Sequence, residues 1–221
     1  MVPMVARLAV VGGVMIGGMG QVSAQDPTKT LPDAYRVEFE NDHVGVVRVH
    51  YPAGAKLPEH THPGGITVYV YLNDSEGVVF RHSGRSNRAV TRPPVKAGSV
   101  RIATGPEEHH SAENPASMPS EFLRILLKTE SSGQRATFRF ARGDYPANED
   151  VVDEQFSNKQ LRITRLLARS VAFEAPANTP ALVVSVPDGS VRWVPAGERF
   201  VADSSNSRAE VLRIDFLTSP K

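Results

Sequence analysis

The sequence contains no cysteine. It therefore has neither disulfide bonds nor the lipidated cysteine of a lipoprotein, and its stability must come from a hydrophobic core. It also has almost no net charge, since 25 lysine and arginine residues are balanced by 24 aspartate and glutamate residues. No long run of one sign and no stripe of basic residues occurs, so we expect neither a nucleic-acid partner nor binding to an anionic membrane.

One apolar stretch lies at the N-terminus, and no other stretch is apolar enough to cross a bilayer. Arg7 precedes a run of small and apolar residues, and Val22-Ser23-Ala24 forms a small-x-small cleavage signal. This pattern is typical of a secretory signal peptide, so we expect residues 1–24 to be removed after Ala24. The mature chain should then be secreted or periplasmic and free of the membrane.

Short segments that favour β-strands dominate the rest of the chain. Residues 44–51, 66–72 and 121–128 are rich in β-branched, aromatic and aliphatic side chains, and Gly, Pro, Asn and Asp separate them from their neighbours. Evenly spaced short strands predict an all-β sandwich or barrel. The best candidate for a helix is the weak pattern at 149–156.

Two tetrapeptides recur, which indicates an internal duplication. Gly-Ser-Val-Arg occurs at 98–101 and again at 189–192, and Phe-Leu-Arg-Ile at 122–125 is echoed by Val-Leu-Arg-Ile at 211–214. The matches keep the same order in each half. A polar stretch that begins at Ser131 separates the halves, so the predicted domains are 25–130 and 131–221.

His60 and His62 are the first candidates for metal ligands. Residues two apart on a strand point to the same face, so the two imidazoles can share one cation at about 2.0–2.1 Å. Imidazole is a good ligand for iron, nickel, copper and zinc, so ligand type does not choose the metal. A third histidine follows in Glu107-Glu108-His109-His110, four residues before Asn114.

These residues resemble the two motifs of the cupin superfamily. Gly54 precedes His60 and His62 at the family spacing, and His110-x-x-x-Asn114 follows a Gly-led strand. The resemblance implies two tandem double-stranded β-helix (jelly-roll) barrels and a metal in the mouth of the first, held by His60, His62 and His110. It also implies a divalent transition metal: iron, manganese, nickel, copper or zinc.

The chain departs from the cupin pattern in two places. The family glutamate would fall at Ile66 or Thr67, and neither is a carboxylate. The spacing of the second motif is also ambiguous: counted from Gly98 the ligand would be His109, and counted back from Asn114 it is His110. We prefer His110 and keep His109 as the alternative.

Without that glutamate, a three-histidine site leaves more coordination positions open for water, dioxygen or substrate, or it binds metal too weakly to be filled. Glu107 or Glu108 would supply a replacement oxygen if the altered turn brings one of them inward.

The second half shows the same strand signals without the ligands. Pro195-x-Gly197 keeps the family turn, and the following histidine position falls near Phe200. Aligning Pro63 with Pro180 places Ala177 and Thr179 where the first half has His60 and His62. We therefore interpret the second half as a degenerate cupin domain.

A substrate pocket beside the metal would be lined by Thr67, Tyr69 and Tyr71, which share one face of a strand, and by Arg101, which can bind a carboxylate through two hydrogen bonds. The two tyrosines and the arginine also have an ordinary structural interpretation, as strand tyrosines and as a solvent-facing arginine. No role is assigned to the remaining histidines of the first half: His43, His50 and His82.

Three functions fit these sequence features. The first is a metal-dependent oxygenase that acts on a small organic substrate. The second is a binding module that holds a small ligand or a metal without turnover. The third is a structural protein of two cupin barrels without metal. In each case the expected partners are a small molecule and a second copy of the chain in a homodimer.

Overall fold

The computed structural model describes residues 26–84, 87–131, 133, 137–186, 188–203 and 208–221. The predicted signal peptide at 1–24 lies outside this part of the chain. None of the helices in the described part is long and apolar enough to cross a membrane.

The described residues are almost entirely β-structure, as the sequence predicts. One short helix, α1 (Pro27–Thr30), precedes the strands. The strands are β1 (Tyr35–Glu40), β2 (Val44–Tyr51), β3 (Lys56–His62), β4 (Gly65–Tyr71), β5 (Val79–His82), β6 (Arg88–Thr91), β7 (Val100–Gly105), β8 (Glu108–Glu113), β9 (Ser120–Leu127), β10 (Thr137–Phe140), β11 (Val151–Ser157), β12 (Leu161–Ala168), β13 (Ser170–Glu174), β14 (Ala181–Ser185), β15 (Val191–Val194), β16 (Arg199–Asp203) and β17 (Ala209–Phe216).

Two sheets form the first half of the protein. The larger has the order β1-β2-β9-β4-β7-β10 and the smaller the order β3-β8-β5-β6. The turn that leads into β3 needs Gly54, whose φ of +71° lies in the left-handed region. The predicted division after residue 130 stays a prediction, although β10 lies beyond it and still pairs with β7.

The second half repeats this arrangement with fewer strands. Its larger sheet has the order β11-β12-β17-β14-β15, and β13 pairs with β16 in a separate two-stranded sheet. In this order β15 corresponds to β7 and β17 to β9, so both recurring tetrapeptides lie at matching places. The predicted helix at 149–156 is wrong: the segment forms β11, because pairing with β12 outweighs a weak helical preference.

Three buried clusters stabilise the four sheets. One lies between the outer faces of the two larger sheets and joins side chains of both halves, such as Val68, Val70, Leu182 and Leu212. A second, with Tyr69, fills the inside of the first half, and a third fills the inside of the second. Alternate residues of β4 therefore serve different cores, since Val68 and Val70 point outward while Tyr69 points inward.

The contact between the halves is pseudo-symmetric. Arg48 on β2 donates hydrogen bonds to the carbonyl oxygens of Asp188 and Gly189. At the matching position on β12, Arg165 donates to the carbonyl oxygen of Gly98. Gly98 and Gly189 are the first residues of the recurring tetrapeptide, so the repeat marks the turns through which each half holds the other.

The second half has phenylalanines where the first has histidines. Phe173 pairs with Phe200 between β13 and β16, as His60 pairs with His110 between β3 and β8. The placement of Phe200 agrees with the sequence, but the expected alignment of Ala177 and Thr179 with His60 and His62 is wrong. Both residues follow the end of β13, because the loop after β13 is longer than the Pro63 alignment assumed.

Candidate metal centre

Three histidines meet on the inner face of the smaller sheet. Strand β3 supplies His60 and His62, and β8 supplies His110, which pairs directly with His60. One ring nitrogen from each residue lies within 4.8 Å of the others, and all three side chains are buried. Three nitrogens at this spacing are able to bind one metal ion.

The structure distinguishes the two adjacent histidines of β8. His109 points the other way, where Thr61 Oγ1 lies 2.8 Å from its Nδ1 and a Glu107 oxygen lies 3.0 Å from its Nε2. His110 points inward, and neither of its ring nitrogens has a hydrogen-bond partner among the described residues. A buried imidazole without partners is costly unless something binds it, so His110 fits a metal ligand.

His60 is held in one tautomer. Its Nδ1 lies 2.8 Å from the carbonyl oxygen of Pro58, which can only accept, so Nδ1 carries the proton. Its Nε2 then accepts a hydrogen bond from the Tyr35 hydroxyl at 2.7 Å, and Tyr51 in turn donates to Tyr35 at 2.6 Å. A backbone acceptor behind one nitrogen is the usual way to aim the other at a metal.

The surroundings keep the triad neutral. Burial, and then the nearby Arg124 charge, lower the pKa of His62 far below its ordinary value. Burial and the neighbouring His60 lower the pKa of His110 to about 3. The pKa of His60 is also lowered, chiefly by burial. Because metal binding requires neutral imidazole, these shifts favour binding at neutral pH.

No carboxylate replaces the family glutamate at Ile66 or Thr67. Ile66 lies in the cluster between the two larger sheets and Thr67 is buried. Glu108, however, pairs with His62 across β3 and β8, and its Oε2 lies 3.9 Å from His110 Nδ1. Of the two glutamates suggested by the sequence, Glu108 is beside the triad and Glu107 is exposed.

A cavity opens next to the triad. Of the predicted pocket residues, Tyr69, Tyr71 and Arg101 line it. Thr67 instead lines a neighbouring cavity, which Tyr69 and Arg101 share. The alternative of a solvent-facing Arg101 is wrong, because its side chain stacks over the Tyr69 ring at 3.8 Å and is buried.

Several further residues of the site are not identified by the sequence patterns, and three of them lie close to the triad: Tyr35, Phe80 and His82. All three line the cavity, and the ring centroids of His82 and His110 are 5.3 Å apart. The sequence signal for His82 is Phe80, two residues earlier. Residues two apart on a strand share a face, so an apolar residue at 80 indicates that the side chain of His82 points inward. Tyr35 begins an alternating Tyr-x-Val-x-Phe pattern that predicts β1.

No family profile and no curated protein sequence matches the chain. Solved structures do match. Escherichia coli pirin YhhW in complex with nickel(II) aligns at a TM-score of 0.52 and 14% identity, over 84% of this chain and 91% of that one. Quercetin 2,3-dioxygenase from Acinetobacter baumannii aligns at 0.52 and 14% identity, over 79% and 74%.

The protein has the cupin fold. A mutant of Bacillus subtilis oxalate decarboxylase OxdC also aligns, at a TM-score of 0.52 and 9% identity, over 88% of this chain and 72% of that one. At these identities the likeness concerns the fold alone. The chemistry of this protein therefore depends on its own residues.

Proposed function

We propose that this cupin binds one divalent transition metal at His60, His62 and His110 and acts as a metal-dependent oxygenase on a small organic substrate held in the adjacent cavity. The observation that carries the proposal is His110, whose two buried ring nitrogens have no partner in the described part of the protein. The nickel(II) in the pirin structure agrees with this proposal, and so does the fact that a second neighbour is a quercetin 2,3-dioxygenase.

The protein's own residues would divide the work at this site. The metal, when bound, supplies a Lewis acid or a redox centre. The Pro58 carbonyl fixes the His60 ring, while Tyr35 gives up its hydrogen bond to His60 Nε2 so that the same lone pair is free for the metal. Burial raises the pKa of Tyr35, so this phenol keeps its proton and is able to donate a hydrogen bond to a substrate oxygen.

The proposal is tested by elemental analysis of the tag-free protein prepared without chelator. We expect about one metal per chain, lost in His62→Ala and in His110→Ala. The matched control is His109→Ala, which removes the same side chain one position away on the opposite face of β8 and should leave the metal content unchanged. Substrate turnover would then be measured as oxygen consumption.

Three results would reject this assignment. Metal that persists in His110→Ala would place it elsewhere, and equal loss in His109→Ala would show that the variants act through the fold. Absence of metal after reconstitution with iron(II), manganese, nickel, copper and zinc would refute metal binding at the triad.

A binding module without turnover is the second candidate. Glu108 is the one carboxylate that lines the cavity among the described residues, and Glu107 lies outside it. With so few groups to accept a proton, the site fits ligand binding as well as catalysis. Metal binding with ligand-dependent stabilisation, but without product in air, would favour this function.

Export and self-association belong to the same proposal. We expect the mature chain to begin at Gln25, which N-terminal sequencing of protein recovered from a bacterial periplasm would show. We expect a homodimer, which light scattering would measure. An uncleaved N-terminus or a monomer would reject the respective expectation.

A further inference from the structure

Three arginines converge on the cavity beside the triad: Arg92, Arg101 and Arg124. They come from the β6–β7 connection, from β7 and from β9, so separate segments of chain supply them. Glu108 is the one carboxylate that lines the cavity with them in the described part of the chain. The lining therefore carries an excess of positive charge in a molecule whose overall charge is close to zero.

Two of these arginines are arranged in a row. Tyr69 on β4 pairs with Arg101 on one side and with Arg124 on the other, so the three side chains share the inner face of the larger sheet. Neighbouring strands lie about 4.7–4.9 Å apart, which places the two arginines on either side of one tyrosine ring. The row continues to Arg139 on β10, which is exposed at the sheet edge.

The inner arginines are buried without counterions. Arg101 is 6% exposed and Arg124 is 8% exposed. Neither they nor Arg92 form an ion pair with any described residue. Arg101 Nε has no hydrogen-bond partner among those residues, and Arg124 donates one bond, to the Pro63 carbonyl oxygen at 3.2 Å.

Such an arrangement is costly for the protein alone. Buried charges are normally paired, and an unpaired guanidinium loses hydration without gaining a partner. Burial lowers the pKa of Arg92, and so does the like charge of the adjacent Arg101. An anion placed among the three would relieve the repulsion and use the free donors.

We propose that the cavity binds a small organic carboxylate beside the triad, with Arg101 and Arg124 as its anchoring residues. A guanidinium fork matches a carboxylate through two parallel hydrogen bonds. The cavity walls of Tyr71 and Phe122 suit an apolar or aromatic remainder of the ligand. This inference rests on the proposed function, for which it names the class of substrate. The arginines bind the anion whether or not metal is present.

The test uses metal-free, tag-free protein in low-salt buffer and isothermal titration calorimetry. The probes are acetate, oxalate and benzoate, each compared with its neutral amide: acetamide, oxamide and benzamide. We expect at least one carboxylate to bind and its amide not to. Arg101→Met and Arg124→Met should weaken that binding about 10- to 100-fold, the effect of losing a charged hydrogen bond.

Arg139→Met is the matched control, because it removes the same side chain from the same row at the exposed edge. It should leave the affinity unchanged. Arg101→Met should also keep or raise the melting temperature, since it removes a buried charge without a partner and retains an apolar stem against Tyr69. Arg101→Lys, which keeps the charge and loses the fork, should bind with intermediate affinity.

Several results would overturn the inference. One is that none of the three carboxylates binds at concentrations up to about 10 mM. Another is that a carboxylate and its amide bind equally well. A third is that Arg139→Met loses as much affinity as Arg101→Met. Inorganic phosphate that binds as tightly as the carboxylates would also overturn it. Carboxylate binding in a protein that takes up no metal would refute the metal proposal alone, and metal binding without carboxylate binding would refute this inference alone.

Discussion

The three buried histidines should make the metal-free protein sensitive to mild acid. In the folded state each has a pKa below its ordinary value of about 6.5. Between the pKa of the folded state and about 6.5, the unfolded chain therefore binds more protons than the folded one. Stability therefore rises with pH in this window. The contribution is fully present above about pH 6.5 and is lost as the pH falls toward the folded pKa.

The magnitude follows from the same linkage. For a histidine that titrates near 6.5 when unfolded and well below 5 when folded, lowering the pH from 7 to 5 costs about 1.9 kcal/mol. His62 and His110 meet this condition, so together they account for about 4 kcal/mol. His60 acts in the same direction. Total stabilities are typically about 5–15 kcal/mol, so a loss of this size is readily measured.

The assay is urea unfolding of metal-free protein at pH 7, 6 and 5. His62→Gln should lose about 2 kcal/mol less than wild type over this range, because one buried group that charges only on unfolding is gone. His109→Gln, on the opposite face, should reproduce the wild-type loss. If wild type and His62→Gln lose the same free energy, His62 is not held neutral in the folded protein and the reasoning is refuted.

Three further predictions concern the structure around the site. Asn114→Ala should lower the free energy of unfolding by about 2–4 kcal/mol in urea titrations, because the buried amide nitrogen lies 2.9–3.0 Å from three backbone carbonyl oxygens, and both of its N–H donors would be lost; a change near zero would refute this. Gly189→Ala should cost about 2–4 kcal/mol, since its φ is +70° and a Cβ would meet a leucine side chain of the other half at 2.5 Å. Gly197→Ala, with similar φ and open space, should cost only about 1–2 kcal/mol, and equal costs would contradict the packing argument. Tyr35→Phe should cost about 1–3 kcal/mol without metal, because His60 Nε2 loses its donor, but less in metal-saturated protein, where that bond is already broken; thermal melts with and without metal measure the difference.

The motif histidines illustrate what spacing predicts well. His60 and His62 are two apart on a strand, so a shared face follows from β geometry without knowledge of any contact. The same parity places Tyr69 and Tyr71 along one cavity wall. Counting back from Asn114 also favours His110, and the structure turns that residue inward and His109 outward.

Other parts of the site depend on pairing between distant segments. His82 reaches the triad because β5 pairs with β8 at His110, and Tyr35 reaches His60 because β1 lies at the edge of the opposite sheet. Neither register can be read from local sequence, since strand pairing depends on tertiary contacts. The helix predicted at 149–156 is wrong for the same reason.

By itself, the sequence determined the periodicities: an all-β chain, an internal duplication and two histidines on one strand face. These are local properties, because strand propensity and the alternation of side chains act over a few residues. The tertiary structure alone decided which faces meet. It placed two arginines, which have no counterion among the described residues, on either side of a tyrosine in the cavity beside the triad. It also buried Arg101 instead of exposing it, and it set Phe173 and Phe200 where the first half has a histidine pair. Burial and counterions depend on segments far apart in the chain, and those distances are fixed only when the sheets close on one another.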